Sequence, residues 1–171
     1  MSISIKDKIN INLKEKLEDL SSYYVLVGIN KEDAQQKKLY YTHSIKNGNQ
    51  LKESNVTLGE VAAVHEFGCP SRNIPERSFL RSTIEKQNDE IKSEISSTIN
   101  SFLRTGIKGI DVVSLISKNV LNRVQTRILE GIDPELSEKT IERKGHEKQL
   151  IDTEQLFDSI KDEVVRKSGA K

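Results

Sequence analysis

The chain has 171 residues, 35% of them hydrophobic and only 5% aromatic, with 27 basic and 26 acidic side chains and a net charge of +1. That length suits a single domain, residues 1–171, with a core lean enough that burial is expected to be completed at a subunit interface. The balanced charge disfavours a protein that grips nucleic acid by its phosphates, which needs a basic excess, but leaves room for loose enclosure of DNA.

One cysteine, Cys69, excludes an intrachain disulfide and fits a reducing compartment. The start, MSISIKDKIN, lacks the apolar stretch of a signal peptide, and no segment approaches the roughly 18 apolar residues of a membrane span. The expectation is a soluble chain made in the cytoplasm, with no membrane partner.

In chain order, Ile9, Leu13, Leu17 and Leu20 fall at helical spacing and predict an amphipathic helix over 6–21. Tyr23 to Ile29 is rich in β-formers and reads as a short buried strand. From Asn30 to Asn55 the chain is polar, broken by Leu39-Tyr40-Tyr41-Thr42. Lys46-Asn47-Gly48-Asn49 is turn chemistry, so two strands or a long mobile loop would both fit. Thr57 and Glu60 then form a capping-box pattern for a brief helix that Gly68 and Pro70 end.

A long helix is predicted to start at Pro75, with Leu80, Ile84, Ile91, Ile95 and Phe102 on one face and Gly106 and Gly109 closing it. Asp111 can cap a second helix, striped by Val113, Ile116, Val120, Val124 and Ile128 and stopped at Gly131. A short loop between two such helices favours antiparallel packing. Pro134 suits the first position of a charged helix over Glu135–Lys144. Asp152 is expected to cap a further helix with Gln155 reaching back, Leu156 and Ile160 to face inward, and Glu163 to Arg166 to add a last strand. The fold class is therefore α+β: a small β-sheet packed against an N-terminal helix and a long antiparallel helix pair.

Catalytic chemistry is thin. His65-Glu66 starts like a zinc helix, but the position four residues on is Cys69 and no third ligand stands nearby. His43 and His146 are isolated, and all three histidines read as surface or helix-end residues. Cys69 has no base argued beside it and reads as a plain small residue. Asp133 with Glu142-Arg143-Lys144 has the form of a metal-dependent nuclease site, in which carboxylates hold the ion and a Lys steadies the phosphate; here it falls on a predicted helix and not on a strand. No catalytic residue, cofactor or metal is expected. Arg72, Arg77 and Arg81 gather at one bend beside Pro75, either as a solvated corner or as forks for carboxylates on a neighbouring subunit.

The run Val61-Ala62-Ala63-Val64-His65-Glu66-Phe67-Gly68, a short loop, then Ile74-Pro75-Glu76-Arg77-Ser78-Phe79-Leu80-Arg81 resembles the tail-completion or head–tail joining proteins of tailed bacteriophages, also called virion morphogenesis proteins. Further matches follow in the same order: Val27-Gly28 before the run, then Leu136, Thr140 and Lys144, then Leu150-Ile151-Asp152-Thr153-Glu154-Gln155-Leu156 and Ser159-Ile160. Three positions depart from the family pattern. Ser78 and Gln149 stand where proline is usual, which loosens the bend at 78 slightly. Glu154 replaces a glycine, which suggests a helical backbone there with no need for positive φ.

The resemblance implies a structural virion protein, not an enzyme, that forms a homo-oligomeric, sixfold ring at the neck between portal and tail. Its partners would be copies of itself and the neighbouring neck, connector and tail-tube proteins. DNA would pass through the lumen without sequence-specific binding, in a virion assembled in the host bacterial cytoplasm. A tail terminator capping the tube, or a part of a headless prophage-derived particle, is the alternative on the same likeness. The expected subunit or partner interface comprises Glu66, Phe67, Arg72, Ile74, Pro75, Arg77, Phe79, Arg81, Asp152 and Thr153.

Overall fold

A computed structural model describes residues 5–44 and 48–168, with side chains from 12 to 42 and from 50 to 168. The expected turn over Lys46 and Asn47 and the side chain of Ile9 lie outside the described residues. The elements in order are α1 (Ile5–Ser21), β1 (Tyr23–Ile29), α2 (Lys31–Gln35), β2 (Lys37–Ser44), β3 (Gly48–Thr57), α3 (Leu58–Phe67), a 3-10 turn (Pro70–Arg72), α4 (Arg81–Lys86), α5 (Asn88–Leu103), α6 (Gly109–Glu130), α7 (Glu138–Lys144), α8 (Gln155–Ser159) and β4 (Ile160–Arg166). The class is α+β. The strands form two separate two-stranded sheets, β1 with β4 and β2 with β3, in place of one small sheet.

The chain divides into two compact units, Met1–Val27 with Gln87–Val120 and Asp162–Lys171, and Gly28–Lys86 with Leu121–Lys161. In the first, α1 serves both ends of the 104–108 loop. Lys16 Nζ donates to the carbonyls of Leu103 and Thr105 at the end of α5 (3.1 and 2.6 Å) and lies over the Phe102 ring. Asp19 accepts the N–H of Gly109, the first residue of α6, at 2.8 Å. A cation thus meets a helix C-terminus and a carboxylate a helix N-terminus, as the peptide dipoles favour. A Cβ on Gly109 would lie 2.6 Å from that carboxylate oxygen, so the glycine opens α6 and does not close α5.

The second unit carries the β2–β3 hairpin, antiparallel with an irregularity between Lys37 and Leu39. Of the two possibilities for 30–55, paired strands are what form. The outer edge of β2 is closed by the Gln155 amide, whose oxygen accepts from Leu39 N–H at 2.8 Å while its nitrogen donates to the Lys37 carbonyl at 3.0 Å. Lys38 pairs with Asp152 at 3.6 Å. Gln155 therefore does not reach back to Asp152, and Asp152 is not the cap of α8. Residue 154 fills that place, and its backbone is left-handed (φ 59°), so Glu154 holds a conformation that glycine would take without strain. The helical backbone expected there is corrected.

Three other expectations change. The strand β1 is half-buried, with Tyr24 and Leu26 facing water on alternate positions. Pro134 does not begin a helix; α7 starts after Ser137. The long helix breaks at Gln87 into α4 and α5, and residues 75–80 precede it unwound. The capping box at Thr57 and Glu60, the Gly131 stop (φ 92°) and the burial of Leu156 and Ile160 match the expectation.

Replacing the exposed Glu154 by glycine should relieve the left-handed backbone and stabilise the fold by about 0.5–1 kcal/mol, against the usual penalty of glycine. Thermal unfolding should show a midpoint raised by roughly 2–4 °C.

Candidate functional site

The corner from α3 to α4 is built on Glu66. Its carboxylate is buried and takes four hydrogen bonds: from Ser78 Oγ (2.7 Å) and from the backbone N–H groups of Phe79 (2.9 Å), Leu80 (3.0 Å) and Arg81 (2.9 Å). The first turn of a helix exposes N–H groups without intrahelical partners, and the peptide dipoles there favour negative charge. Glu66 supplies both needs from twelve to fifteen residues upstream, which is why the helix starts at Arg81 and not at Pro75. Ser78 adds to the cap by accepting the Ser82 N–H at 3.0 Å. The serine in place of proline thus tightens this bend with two hydrogen bonds, where loosening was expected.

Between Glu66 and Ser78 the chain closes a small loop. Cys69 and Ile74 exchange both backbone hydrogen bonds (2.8 and 3.1 Å), around the 3-10 turn and a left-handed Asn73. Gly68 has φ 73°, and a Cβ on it would lie 2.9 Å from the Glu76 nitrogen, so only glycine fits. Arg77 N–H donates to the His65 carbonyl at 2.7 Å. Its guanidinium donates to the carbonyls of Pro134 (2.8 Å) and Glu135 (3.0 Å), tying the corner to the segment before α7.

Of the ten residues expected at an interface, Glu66, Arg77 and Phe79 are buried and engaged within the chain. Arg77 does not project from a first helical turn. Phe67, Arg72, Pro75 and Arg81 are exposed, while Ile74, Asp152 and Thr153 are half-buried. Phe67, at 65% exposure, is the most exposed large apolar side chain among the described residues. Arg81 lies over its ring, 5.6 Å from the centroid, and is also paired with Glu76.

Beside the corner, and wholly within the second unit, lies a cleft of about 840 Å³. Its walls are Lys38, Tyr40 and Val56 of the hairpin, Val61, Val64 and His65 of α3, Arg72 to Pro75 of the corner, and Thr140, Arg143 and Lys144 of α7. His65 Nδ1 and His146 Nδ1 are buried there without hydrogen-bond partners. Burial, then Lys38, Arg77 and Lys144, push the His65 pKa down to about 4, so the ring is neutral at physiological pH. Burial also lowers the Lys144 pKa; Lys38, Arg143 and Arg77 add to the shift and Asp152 opposes it. Lys144 donates to the Lys148 carbonyl at 2.7 Å. His65 stands in the last turn of α3, in keeping with the helix-end reading, and its ring lines the cleft.

Among the described residues no three His, Cys, Asp or Glu side chains are grouped so as to hold a metal ion. Among the described residues, too, no helix is long and apolar enough to cross a membrane. Comparison of the chain with protein-family models, with curated proteins and with solved structures found no match.

Two outcomes follow from this geometry. Glu66→Ala strands four donors and is expected to destabilise the fold by about 3–5 kcal/mol in denaturant unfolding, with Glu66→Gln costing less because one acceptor oxygen remains. For His65, the folded pKa near 4 lies below the usual 6.5, so between those values the unfolded chain binds more protons. The stability from keeping the ring neutral is complete above about pH 6.5 and is lost as pH falls towards 4, by up to ~3 kcal/mol. Unfolding at pH 7 and pH 4.5 should show a smaller loss in His65→Gln than in the parent.

Proposed function

We propose that this chain is a structural component of a tailed-bacteriophage neck, a ring-forming tail-completion or head–tail joining protein with no catalytic role. The ordered series of motifs from Val27-Gly28 to Ser159-Ile160 supports this reading. So does the distribution of apolar surface: among the described residues fourteen large apolar side chains are exposed against thirteen hydrophobic ones buried. Singly exposed apolar groups are ordinary, but here they pair along elements, Leu13 with Leu17 on α1 and Tyr24 with Leu26 on β1. Such faces suit burial against other copies.

The observation that carries the reading is the Phe67–Arg81 pair. An aromatic ring under a guanidinium, exposed on a corner whose backbone is held by Glu66, is the kind of rigid anchor that dominates subunit contacts. A ring repeats one heterologous contact and closes only when its rotation is fixed, so the angle must be set by stiff structure. The near-zero net charge suits a conduit that lets DNA pass without holding it.

Negative-stain microscopy and mass in solution test this directly. The expected result is a sixfold ring of 19.4 kDa subunits that Phe67→Asp converts to monomers with an unchanged circular dichroism spectrum. A parent chain that stays monomeric to about 100 μM, well above ordinary subunit affinities, would sink the proposal.

A further inference from the structure

The cleft of the second unit has a composition that the neck reading does not use. Its lining is split by chemistry. Tyr40, Val56, Val61, Val64 and Leu136 supply aromatic and aliphatic surface, while Lys38, Arg72, Arg77, Arg143 and Lys144 supply five cations against the three carboxylates of Glu60, Glu135 and Asp152. Asp152 pairs with Lys38 within the cleft, which leaves four cations against Glu135 and Glu60, the latter also closing the Thr57 capping box. A narrower recess of about 110 Å³ shares Lys38, Val61, His65, Arg77, Lys144 and Asp152 with the cleft and continues it towards Thr153. Buried ring nitrogens with no partner, at His65 and at His146, add two polar atoms unused by the fold.

We propose that this cleft is the docking groove for an extended acidic segment of a partner protein, with its apolar side chains against Tyr40, Val61 and Val64 and its carboxylates towards Arg72, Lys144 and His65. The volume lies in the range of sites that enclose a short peptide or a ligand of similar size. An extended segment that carries both apolar and acidic side chains matches this mixed lining. Carboxylates arriving at Arg72 and Lys144 form charge-assisted hydrogen bonds in a partly desolvated space, where such bonds are stronger than in water. A nucleic-acid strand fits less well. Its evenly spaced phosphates would meet Glu60, Glu135 and Asp152 among the cations, and the chain as a whole lacks the basic excess that phosphate binding uses. The groove stands whether or not the chain forms a ring.

The test is fluorescence anisotropy on the full-length protein with three labelled probes: a peptide alternating Asp with Leu, the same peptide with Lys for Asp, and a single-stranded oligonucleotide. The acidic peptide is expected to bind, with an affinity that falls as salt is raised and drops at least tenfold in Arg72→Glu and in Val64→Asp. Arg72 is exposed, and thermal unfolding of both variants reports whether the fold survives; a loss of binding counts only in a variant that unfolds like the parent. Arg72→Ala, milder still, should weaken binding about threefold or more. Equal binding of the Lys peptide would mean apolar stickiness and would overturn the proposal. So would absence of binding to the acidic peptide at millimolar concentration, or tighter binding of the oligonucleotide with loss of it in Arg72→Glu.

Discussion

The second unit depends on one buried carboxylate. Glu66 stands at the last full turn of α3, where the peptide dipoles disfavour negative charge, and desolvating it alone would cost several kcal/mol. The four donors from Ser78 to Arg81 offset that cost because they are the orphan groups of a helix start, where the dipoles run the other way. Each partner solves the other's problem: the helix end needs its acid neutralised by hydrogen bonds, and the helix start needs an acceptor. The result is a fixed angle between α3 and α4 that no flexible side chain sets. Phe79, buried completely just inside the cap, locks it with apolar packing worth about 2–3 kcal/mol.

The orientation of Glu66 also decides what its neighbours do. Successive residues on an α-helix point about 100° apart, so turning residue 66 inward turns 65 and 67 to either side. His65 goes to the cleft and Phe67 to solvent, where Arg81, itself capped by Glu66 through its backbone, lies over the ring. Three consecutive side chains therefore serve the interior, a groove and an exposed anchor. The Gly68 that follows is the only residue type whose backbone and missing Cβ let the chain turn back past Glu76.

Local sequence foretold the elements whose causes are local. Thr57 and Glu60 cap α3 from three residues apart, Gly131 stops α6 by its own φ, and β1 is defined by its own run of β-formers. The errors fall where the cause is distant. The start of α4 is set by a carboxylate twelve to fifteen residues back, and the unwound stretch after Pro134 by Arg77, 57 residues away. Gln155 is drawn to β2, 116 residues from it, instead of to its own helix cap. That Glu154 stands where the resemblance expects glycine was legible, but its meaning was not, since left-handed strain at Glu154 is visible only in the backbone. The cleft had no local signal at all: Lys38, Arg72 and Lys144 belong to three elements that only tertiary packing brings together.

The same distance argues that the cleft's charge is not a by-product of packing. In a chain with 27 basic and 26 acidic residues, random placement would leave most pockets close to neutral. Here burial first, and then cations from β2, the corner and α7, keep the His65 ring unprotonated, and burial likewise lowers the Lys144 pKa. Like charges brought together raise the energy of the folded state; the Lys38–Asp152 pair and the hydrogen bonds of Arg77 and Lys144 offset only part of that, and the His65 ring nitrogen makes no hydrogen bond. Local features that work against stability while the rest of the chain is consistent mark places where a structure is shaped for contact with something else. A carboxylate arriving at Arg72 and Lys144 lessens that repulsion and leaves the Glu66 corner untouched, so binding there draws on energy the free chain already holds.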